Sequence, residues 1–380
     1  MAIATIVMLS YQQWHDGPFR LSTASRRMPE LDFALLWAAG KWAAVADATR
    51  LYDGPTFLAW REHLFGPGLF RLDWIYPPPM IALGLAVSRL PLLGAYLLWM
   101  AAIGAGSVWV LRRAGLSWRV VLLGLFGPPI WRGLTSGQVS PLAASLVVAG
   151  LLQARRTPVR AGLQVALATL KPHLGILVPV VWIAQRRLAA FAVAAAGTFV
   201  LAGISLLLFG PGIWAAFLHG SGVSARLLLE PRTPAAYWGG AASVYWMARS
   251  FGLSVPLSYD AQGAAAVLAL AATIAAARRG GDTAMMAVTT CLILLVSPYL
   301  NYSDLVGYSV VVAMILERRP TAALPMALWI FPGVSSIVSV LTGWQVLPVC
   351  VVTAAFLAWR EFGPESPAPA EAGAPAGAPR

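Results

Sequence analysis

Apolar runs separated by pairs of arginines constrain this chain more than any other feature. The chain is 59% hydrophobic and 11% charged, whereas soluble domains usually carry about 25% charged residues. The clearest apolar runs cover residues 139–152, 188–208, 261–277 and 285–296. Several are shorter than the ~20 residues that an upright membrane-spanning helix needs, which predicts broken or half-inserted helices shielded by protein. The sequence therefore predicts an integral membrane protein.

The arginine pairs indicate which ends of the helices share one side of the membrane. Basic residues concentrate in cytoplasmic connections, and about forty residues separate Arg113 from Arg155, which allows one helix out and one back. The same pattern argues against a nucleic-acid partner despite the net charge of +12. The pairs are Arg112-Arg113, Arg155-Arg156, Arg186-Arg187, Arg278-Arg279 and Arg318-Arg319, followed by Arg360.

Three polar turns fall midway between these arginines and are predicted to meet on the opposite side. They comprise residues 132–138, 171–173 and 297–304. The middle turn contains Lys171, and Pro172 favours a break there because proline lacks a backbone donor and clashes with the preceding helical turn. A lysine inside an apolar hairpin costs ~2.5–3.5 kcal/mol on insertion scales and usually marks function; the alternative is a side chain that snorkels to the interface.

A polar segment near the N-terminus gathers an unusual share of the acidic residues. Seven of the 15 acidic residues lie between Asp16 and Asp73. Asp32 precedes a stretch, residues 33–45, that we expect to form an amphipathic helix lying flat on the membrane. Asp32 is then either a helix N-cap or a general base tuned by partial desolvation. About 36 residues separate Tyr76 from Arg112, and we favour one crossing there, which leaves Asp32 opposite the arginines.

These motifs, in this order, resemble glycosyltransferase family 87. The resemblance covers residues 31–316, and each motif is weak alone, whereas their order and spacing together are moderately specific. The chain departs from the family where related sequences often carry histidines after the Ser-Pro, since Tyr299, Asn301 and Tyr302 stand there. The matching motifs are Asp32-Phe33, Gly40, Leu51-Tyr52-Asp53, Tyr76-Pro77-Pro78, Gly137-Gln138, Lys171-Pro172, Ser297-Pro298 and Asp304-Leu305.

The resemblance implies a polytopic enzyme of the C-type glycosyltransferase fold. We accordingly expect an all-α membrane protein with about 9–12 transmembrane or half-inserted helices and interfacial helices in an outer first loop. Residues 1–362 would form one membrane-embedded domain, with outer loops at 14–75 and 210–259, a short first span beginning at Met1 and a disordered tail at 363–380. An aromatic interfacial helix is expected in the second loop, around Tyr237-Trp238 and Tyr245-Trp246.

By the same resemblance, the enzyme transfers a hexose, with mannose favoured, from a polyprenyl-phosphate donor to a lipid-linked or glycan acceptor. Asp32 matches the acidic residue that such enzymes use as the catalytic base. The leaving phosphate needs cations or hydrogen-bond donors, for which the candidates are Lys171, Arg132 and His173. The expected location is the bacterial inner membrane, with the site facing the periplasm or cell exterior.

The remaining candidates, for contacts with the sugar or the acceptor, are Tyr76, Gln138, Asn301, Tyr302 and Asp304. Each of the main ones has a structural alternative: Tyr76 as the entry to a span, Gln138 as part of a simple turn, and Asp304 as a helix N-cap or a partner of Lys171. A histidine such as His173, taken alone, is more often a hydrogen-bonded packing residue.

No metal site or cofactor is predicted, because the four histidines lack ligand spacing and no second acidic cluster accompanies Glu30 and Asp32. Two other classes of protein remain as alternatives. A transporter or lipid flippase would also place isolated charges at broken helices, although related halves are not visible in the sequence. A non-catalytic membrane assembly factor would tolerate neutralisation of Asp32.

Overall fold

The computed structural model describes residues 16–17, 19–20, 31–128, 133, 135–230 and 240–364. In those residues the chain is all-α, with sixteen α-helices and no β-strand. The first eight helices are α1 (Leu31–Ala43), α2 (Gly54–Phe65), α3 (Pro79–Val87), α4 (Leu92–Arg113), α5 (Trp118–Leu125), α6 (Ser140–Gln153), α7 (Pro158–Ala168) and α8 (Val178–Ala184).

The second eight helices follow in the same fashion, with short links between most of them. They are α9 (Leu188–Phe209), α10 (Ile213–Leu229), α11 (Val244–Ser250), α12 (Val255–Arg279), α13 (Asp282–Leu292), α14 (Val306–Arg318), α15 (Ala323–Thr342) and α16 (Leu347–Phe362). Four 3₁₀ turns cover Ala48–Tyr52, Pro172–Leu174, Ile293–Leu295 and Tyr302–Asp304.

Long and short helices contribute differently to the membrane-embedded bundle. Within the described residues, α4, α9, α12 and α15 are long and apolar enough to span a membrane. The shorter helices α6, α13 and α14 are buried along almost their whole length. Gly307 lets two of them approach, since a Cβ there would lie 2.5 Å from Thr290 Cγ2. The chain is a multi-pass membrane protein whose short helices are shielded by other helices, as the sequence predicts.

The arginine pairs gather at one end of this helical bundle. Gln153 Nε2, at the end of α6, donates to the Arg113 carbonyl at 2.7 Å. Arg187 pairs with Asp282 and donates to the Leu151 carbonyl. We call the end that contains these contacts the arginine end. Two further contacts connect helices at this end. Ser117, just before α5, hydrogen-bonds with Glu317 of α14, and Arg318 of α14 donates to the Glu361 carbonyl of α16.

The segment between Tyr76 and Arg113 crosses the bundle once. Helix α3 has 9 residues, about 13 Å at 1.5 Å per residue, which is too short to span. Helix α4, with 22 residues, makes the crossing. Its first half contacts the polar turn after α5, because Trp99 Nε1 donates to the Gly137 carbonyl at 2.9 Å. Asp32 therefore lies opposite the arginine end, as favoured from the sequence.

Helix α1 is not the amphipathic surface helix that the sequence predicted. Residues 33–36 are all buried, so no face of this part of the helix is left for a membrane surface. Trp60 of α2 donates to the Ala38 carbonyl at 3.0 Å. A Cβ on Gly40 would lie 2.0 Å from the Gly84 carbonyl oxygen of α3. The prediction was wrong because distant segments cover this helix, which no local pattern reveals.

The second aromatic pair of the second loop, Tyr245-Trp246, is also buried rather than interfacial. Tyr245 and Trp246 of α11 are 0% exposed. The Tyr245 hydroxyl donates to the Leu229 carbonyl at 2.7 Å, and the Tyr245 amide donates to Gln262 Oε1 at 2.9 Å. The predicted first span from Met1, Glu30, Tyr237-Trp238, Arg132 and almost all of the predicted tail lie outside the described residues.

Candidate active site

A compact turn opposite the arginine end carries the first acidic group of the site. The Asn301 side chain accepts the Ser303 amide at 3.3 Å, and the Asp304 carboxylate accepts the Asn301 amide at 3.2 Å. These two contacts form a reciprocal capping box around Tyr302–Asp304. Asp304 is 2% exposed. Its carboxylate is therefore fixed by the turn and withdrawn from solvent.

Lys171 pairs with this carboxylate across the bundle. The helical break between α7 and α8 brings Lys171 Nζ to 2.5 Å from Asp304 Oδ1. The same ammonium donates to Ser140 Oγ at 2.6 Å and to Gln138 Oε1 at 2.9 Å. An ammonium has three donors and no acceptor, so each N–H of Lys171 has a partner. The geometry favours the Asp304 partnership and excludes snorkelling, because Lys171 is 7% exposed.

His173 contacts the other oxygen of Asp304. Its Nε2 lies 3.3 Å from Asp304 Oδ2, and its side chain is 27% exposed. Burial alone would disfavour the ionised carboxylate, but the charges of Lys171 and His173 prevail and hold the pKa of Asp304 well below its usual range. Asp304 thus stays ionised beside Lys171 and His173, and His173 is the more accessible of the two partners.

The loop before α6 contributes the side-chain amide of Gln138 to the site. Gly137 has φ +82°, and a Cβ there would lie 2.5 Å from Phe33 Cβ, so glycine permits both the turn and the approach of α1. The Phe33 amide donates to the Ser136 carbonyl at 3.0 Å. The neighbouring Gln138 Oε1 accepts the Tyr76 hydroxyl at 3.3 Å. The loop consequently joins α1, Tyr76 and Lys171.

Asp32, in the first turn of α1, faces this loop. Burial of the carboxyl group raises the pKa of Asp32, which hydrogen bonding from Ser136 and Gln138 and the charge of Lys171 partly oppose. The residue as a whole is half-buried, whereas its carboxyl group is enclosed by protein. A carboxylate with a raised pKa suits general-base chemistry.

The structure joins most of the predicted site residues in one hydrogen-bonded network. We call the connected side chains of Tyr76, Gln138, Lys171, His173 and Asp304, together with Asp32, on which the charges of Lys171 and Asp304 act, the polar network. Asn301 joins it through its backbone amide. Tyr302 is placed beside it, where its amide donates to the Gly240 carbonyl at 2.9 Å. The remaining candidate, Arg132, lies outside the described residues.

Two serines of the network were missed from the sequence. Ser140 is 0% exposed and donates to Asp304 Oδ1 at 3.0 Å while it accepts Lys171. Ser136 Oγ donates to the Gly133 carbonyl at 3.2 Å, and Ser136 opposes the rise in the pKa of Asp32. The signal that would have indicated them is their position on either side of the Gly137-Gln138 pair, in a turn that precedes a buried helix. In the part of the chain that the structure describes, no group of three or more His, Cys, Asp or Glu residues is placed to hold a metal ion.

Comparison with known proteins gives one match. The family model for glycosyltransferase family 87 matches residues 74–298. That segment includes Tyr76, Gln138, Lys171 and His173, whereas Asp32 and Asp304 lie beyond its two ends. No curated protein and no solved structure matches the chain.

Proposed function

The chain belongs to glycosyltransferase family 87, and we propose that it transfers a hexose, with mannose favoured, from a polyprenyl-phosphate donor to a lipid-linked or glycan acceptor. Membership of an enzyme family favours covalent transfer over the transporter, flippase and assembly-factor alternatives. The observation that carries the proposal is the polar network, in which a half-buried carboxylate adjoins a buried lysine. Folding alone gives little reason to bury such groups together.

In the proposed reaction, the acceptor hydroxyl attacks C1 of the hexose from the face opposite the phosphate. The new bond joins C1 to the acceptor oxygen, and the bond from C1 to the phosphate oxygen breaks. Asp32 takes the proton of the hydroxyl, and the polyprenyl phosphate leaves with the bonding electrons. The configuration at C1 is inverted. Asp32 is suited to this role because burial raises its pKa and the residue as a whole is only half-buried, whereas Asp304 is 2% exposed and paired with Lys171 and His173.

The leaving phosphate is assigned to Lys171, His173 and Arg132. Lys171 already donates to three acceptors, so in this arrangement it acts through the field of a fixed positive charge. His173 is more exposed, and only its Nε2 contacts Asp304, so it is the better group for direct contact with the phosphate. Arg132 belongs to the same turn as Gln138 in the sequence, outside the described residues.

The sugar and the acceptor are assigned to the rim of the polar network. Tyr76 and Gln138 approach from one side, and the turn of Asn301, Tyr302 and Asp304 approaches from the other. Tyrosine rings and amides are groups that stack on and hydrogen-bond with sugars. Asp304 contributes by fixing the turn rather than by exposing its own oxygens, since it is 2% exposed.

The protein is proposed to lie in the bacterial inner membrane, with the polar network towards the periplasm or cell exterior. The arginine end supports this orientation, because basic residues concentrate on the cytoplasmic side of membrane proteins. The polar network lies at the opposite end of α6 and α14 from those arginines. A polyprenyl-linked donor suits such a site, since its lipid tail stays in the bilayer.

A donor trial tests the proposal. The purified protein, reconstituted in vesicles with a membrane lipid extract as acceptor, is offered polyprenyl-phosphate mannose, polyprenyl-phosphate glucose, GDP-mannose or UDP-glucose. We expect a product heavier by one hexose, read by mass spectrometry, with a polyprenyl-phosphate donor and with mannose preferred. Product from a nucleotide sugar alone would contradict the donor class, and preference for glucose would contradict the sugar.

A further inference from the structure

A cleft opens between α5, α14 and α15 close to the arginine end. Its volume is about 310 Å³, at the lower end of the ~300–1,000 Å³ range of ligand sites. Six apolar side chains line it together with one charged side chain, Arg119. Beside it, Trp329 Nε1 of α15 donates to the Leu123 carbonyl of α5 at 3.0 Å. The cleft is thus an apolar space between three connected helices with one cation in its wall.

The cleft faces the bilayer. Helix α15 is long and apolar enough to span a membrane. Two of the apolar residues that line the cleft, Leu122 of α5 and Met326 of α15, are 50% and 39% exposed. Exposed apolar side chains of a spanning helix meet lipid in a multi-pass membrane protein. The molecules that surround this cleft are therefore lipids.

The charge of the cleft lies at its outer end. Arg119 is in the first turn of α5, two residues after Ser117, which hydrogen-bonds with Glu317 at the arginine end. The neighbouring Trp118 is exposed, as tryptophans at the level of the lipid headgroups often are. Leu122 follows about one turn further along α5. A ligand that fills the cleft needs an anionic group at the arginine end and an apolar chain that extends into the bilayer.

Arg119 has no partner within the part of the chain that the structure describes. It is exposed and forms no hydrogen bond or ion pair with another described residue. The next basic residues along the cleft are engaged, since Arg318 donates to the Glu361 carbonyl and Arg319 pairs with the Glu361 carboxylate. A guanidinium matches the oxygens of a phosphate with two parallel N–H donors. Arg119 is therefore available to an external anion.

We propose that this cleft binds an anionic phospholipid, whose phosphate contacts Arg119 and whose acyl chain enters between α5 and α15. The volume suits a segment of one chain rather than a whole lipid. Basic pockets between membrane helices are known to bind acidic headgroups. A zwitterionic lipid fits less well, because its own ammonium compensates the charge of its phosphate. The cleft is remote from the polar network, so this inference does not depend on the proposed reaction.

The first test asks which lipid occupies the cleft. The full-length protein is placed in nanodiscs of phosphatidylcholine that contain a little phosphatidylglycerol with a photoreactive group in its acyl chain. The amount of this probe is set where labelling of the wild-type protein is half-maximal. Mass spectrometry of the digested protein should find adducts on α5 and α15. Equal labelling of these helices by a photoreactive phosphatidylcholine would overturn the proposal.

The second test removes the cation. Arg119→Gln should lower labelling of α5 and α15 by phosphatidylglycerol about fivefold, the usual contribution of one basic residue beside anionic lipid, and Arg119→Lys should retain most of it. Arg156→Gln is the matched control, because Arg156 is an exposed arginine whose amide donates to the Gln153 carbonyl at the same end, away from the cleft. An equal loss in Arg156→Gln would indicate a general effect of surface charge and overturn the site.

The third test fills the apolar part and keeps the cation. Leu122→Trp and Met326→Trp narrow the cleft from opposite walls, so each should reduce labelling by phosphatidylglycerol. Thermal unfolding in the same nanodiscs separates loss of binding from loss of folding. Wild-type labelling in both variants would overturn the proposal, because Arg119 would then only snorkel to the surrounding headgroups.

A competition distinguishes phospholipid from the lipid carrier of the proposed reaction. Unlabelled phosphatidylglycerol should displace the probe at a lower mole fraction than polyprenyl phosphate does. The reverse order would assign the cleft to the carrier and overturn the phospholipid. None of these measurements depends on hexose transfer, so failure of the proposed function would leave their results unchanged.

Discussion

Two ion pairs of equal length, at opposite ends of the molecule, differ in almost every other respect. In the polar network, Lys171 Nζ lies 2.5 Å from Asp304 Oδ1, with side chains 9% and 3% exposed. At the arginine end, Arg319 Nε lies 2.5 Å from Glu361 Oε1, with side chains 56% and 12% exposed. The first pair is enclosed by further polar side chains, whereas water reaches the second.

The comparison shows that the burial of an ion pair, and not the distance between its charges, determines its contribution to stability. An exposed pair gains little, because solvent and salt screen it and its side chains lose entropy. A buried pair has a desolvation cost that an apolar pair of the same volume would avoid. The proposed membrane orientation is sufficient to explain the arginine end, whereas the polar network requires a reason beyond stability.

The largest loss of stability is expected when one partner of the buried ion pair is removed. Asp304→Asn leaves the charge of Lys171 without a carboxylate, which should cost about 3–5 kcal/mol of stability and abolish transfer. Reversible unfolding in mixed micelles measures the loss. Replacing both partners, as Lys171→Met with Asp304→Leu, should recover much of that stability without activity; a double variant as unstable as Asp304→Asn would contradict this account.

A smaller effect is expected where α1 is held against α3. Gly40→Ala places a Cβ 2.0 Å from the Gly84 carbonyl oxygen, so the helices must separate, at about 1–3 kcal/mol. Transfer should also fall, because α1 carries Asp32. Gly94→Ala in α4 is the control, since a Cβ added there would meet no heavy atom within 4 Å. Equal effects of the two substitutions would argue against close packing as the cause.

The smallest effect is expected at the exposed pair. Arg319→Gln removes one partner of Glu361 and should change stability by less than about 1 kcal/mol, with transfer unaffected. The same unfolding measurement applies. A loss comparable to that of Asp304→Asn would remove the distinction between the two ends.

The sequence predicted the ends of the bundle better than its interior. The arginine spacing placed the polar turns opposite the basic residues, and Pro172 marked the break that presents Lys171. These features are local, so they can be read without knowing the fold. The resemblance on the motifs from Tyr76 to Pro298 was also sufficient to identify the family, which the match over residues 74–298 confirms.

The interior was harder to predict because its contacts join distant segments. Burial of α1 depends on Gly40 meeting Gly84, and burial of Tyr245 depends on Leu229 and Gln262. Ser140 resembles any serine at the start of an apolar helix until Lys171 and Asp304 are placed beside it. The roles of individual side chains therefore required the fold, while their location near the site did not.

The most direct test of the central claim is the rate of hexose transfer by Asp32→Asn, measured with the purified protein at saturating donor. The account predicts a loss of about 10²–10⁴-fold, the usual contribution of a general base, with unchanged thermal unfolding. Asp47→Asn, which alters an exposed capping carboxylate in the same N-terminal segment, should retain the wild-type rate. Transfer by Asp32→Asn within about twofold of wild type would contradict the assignment of the base.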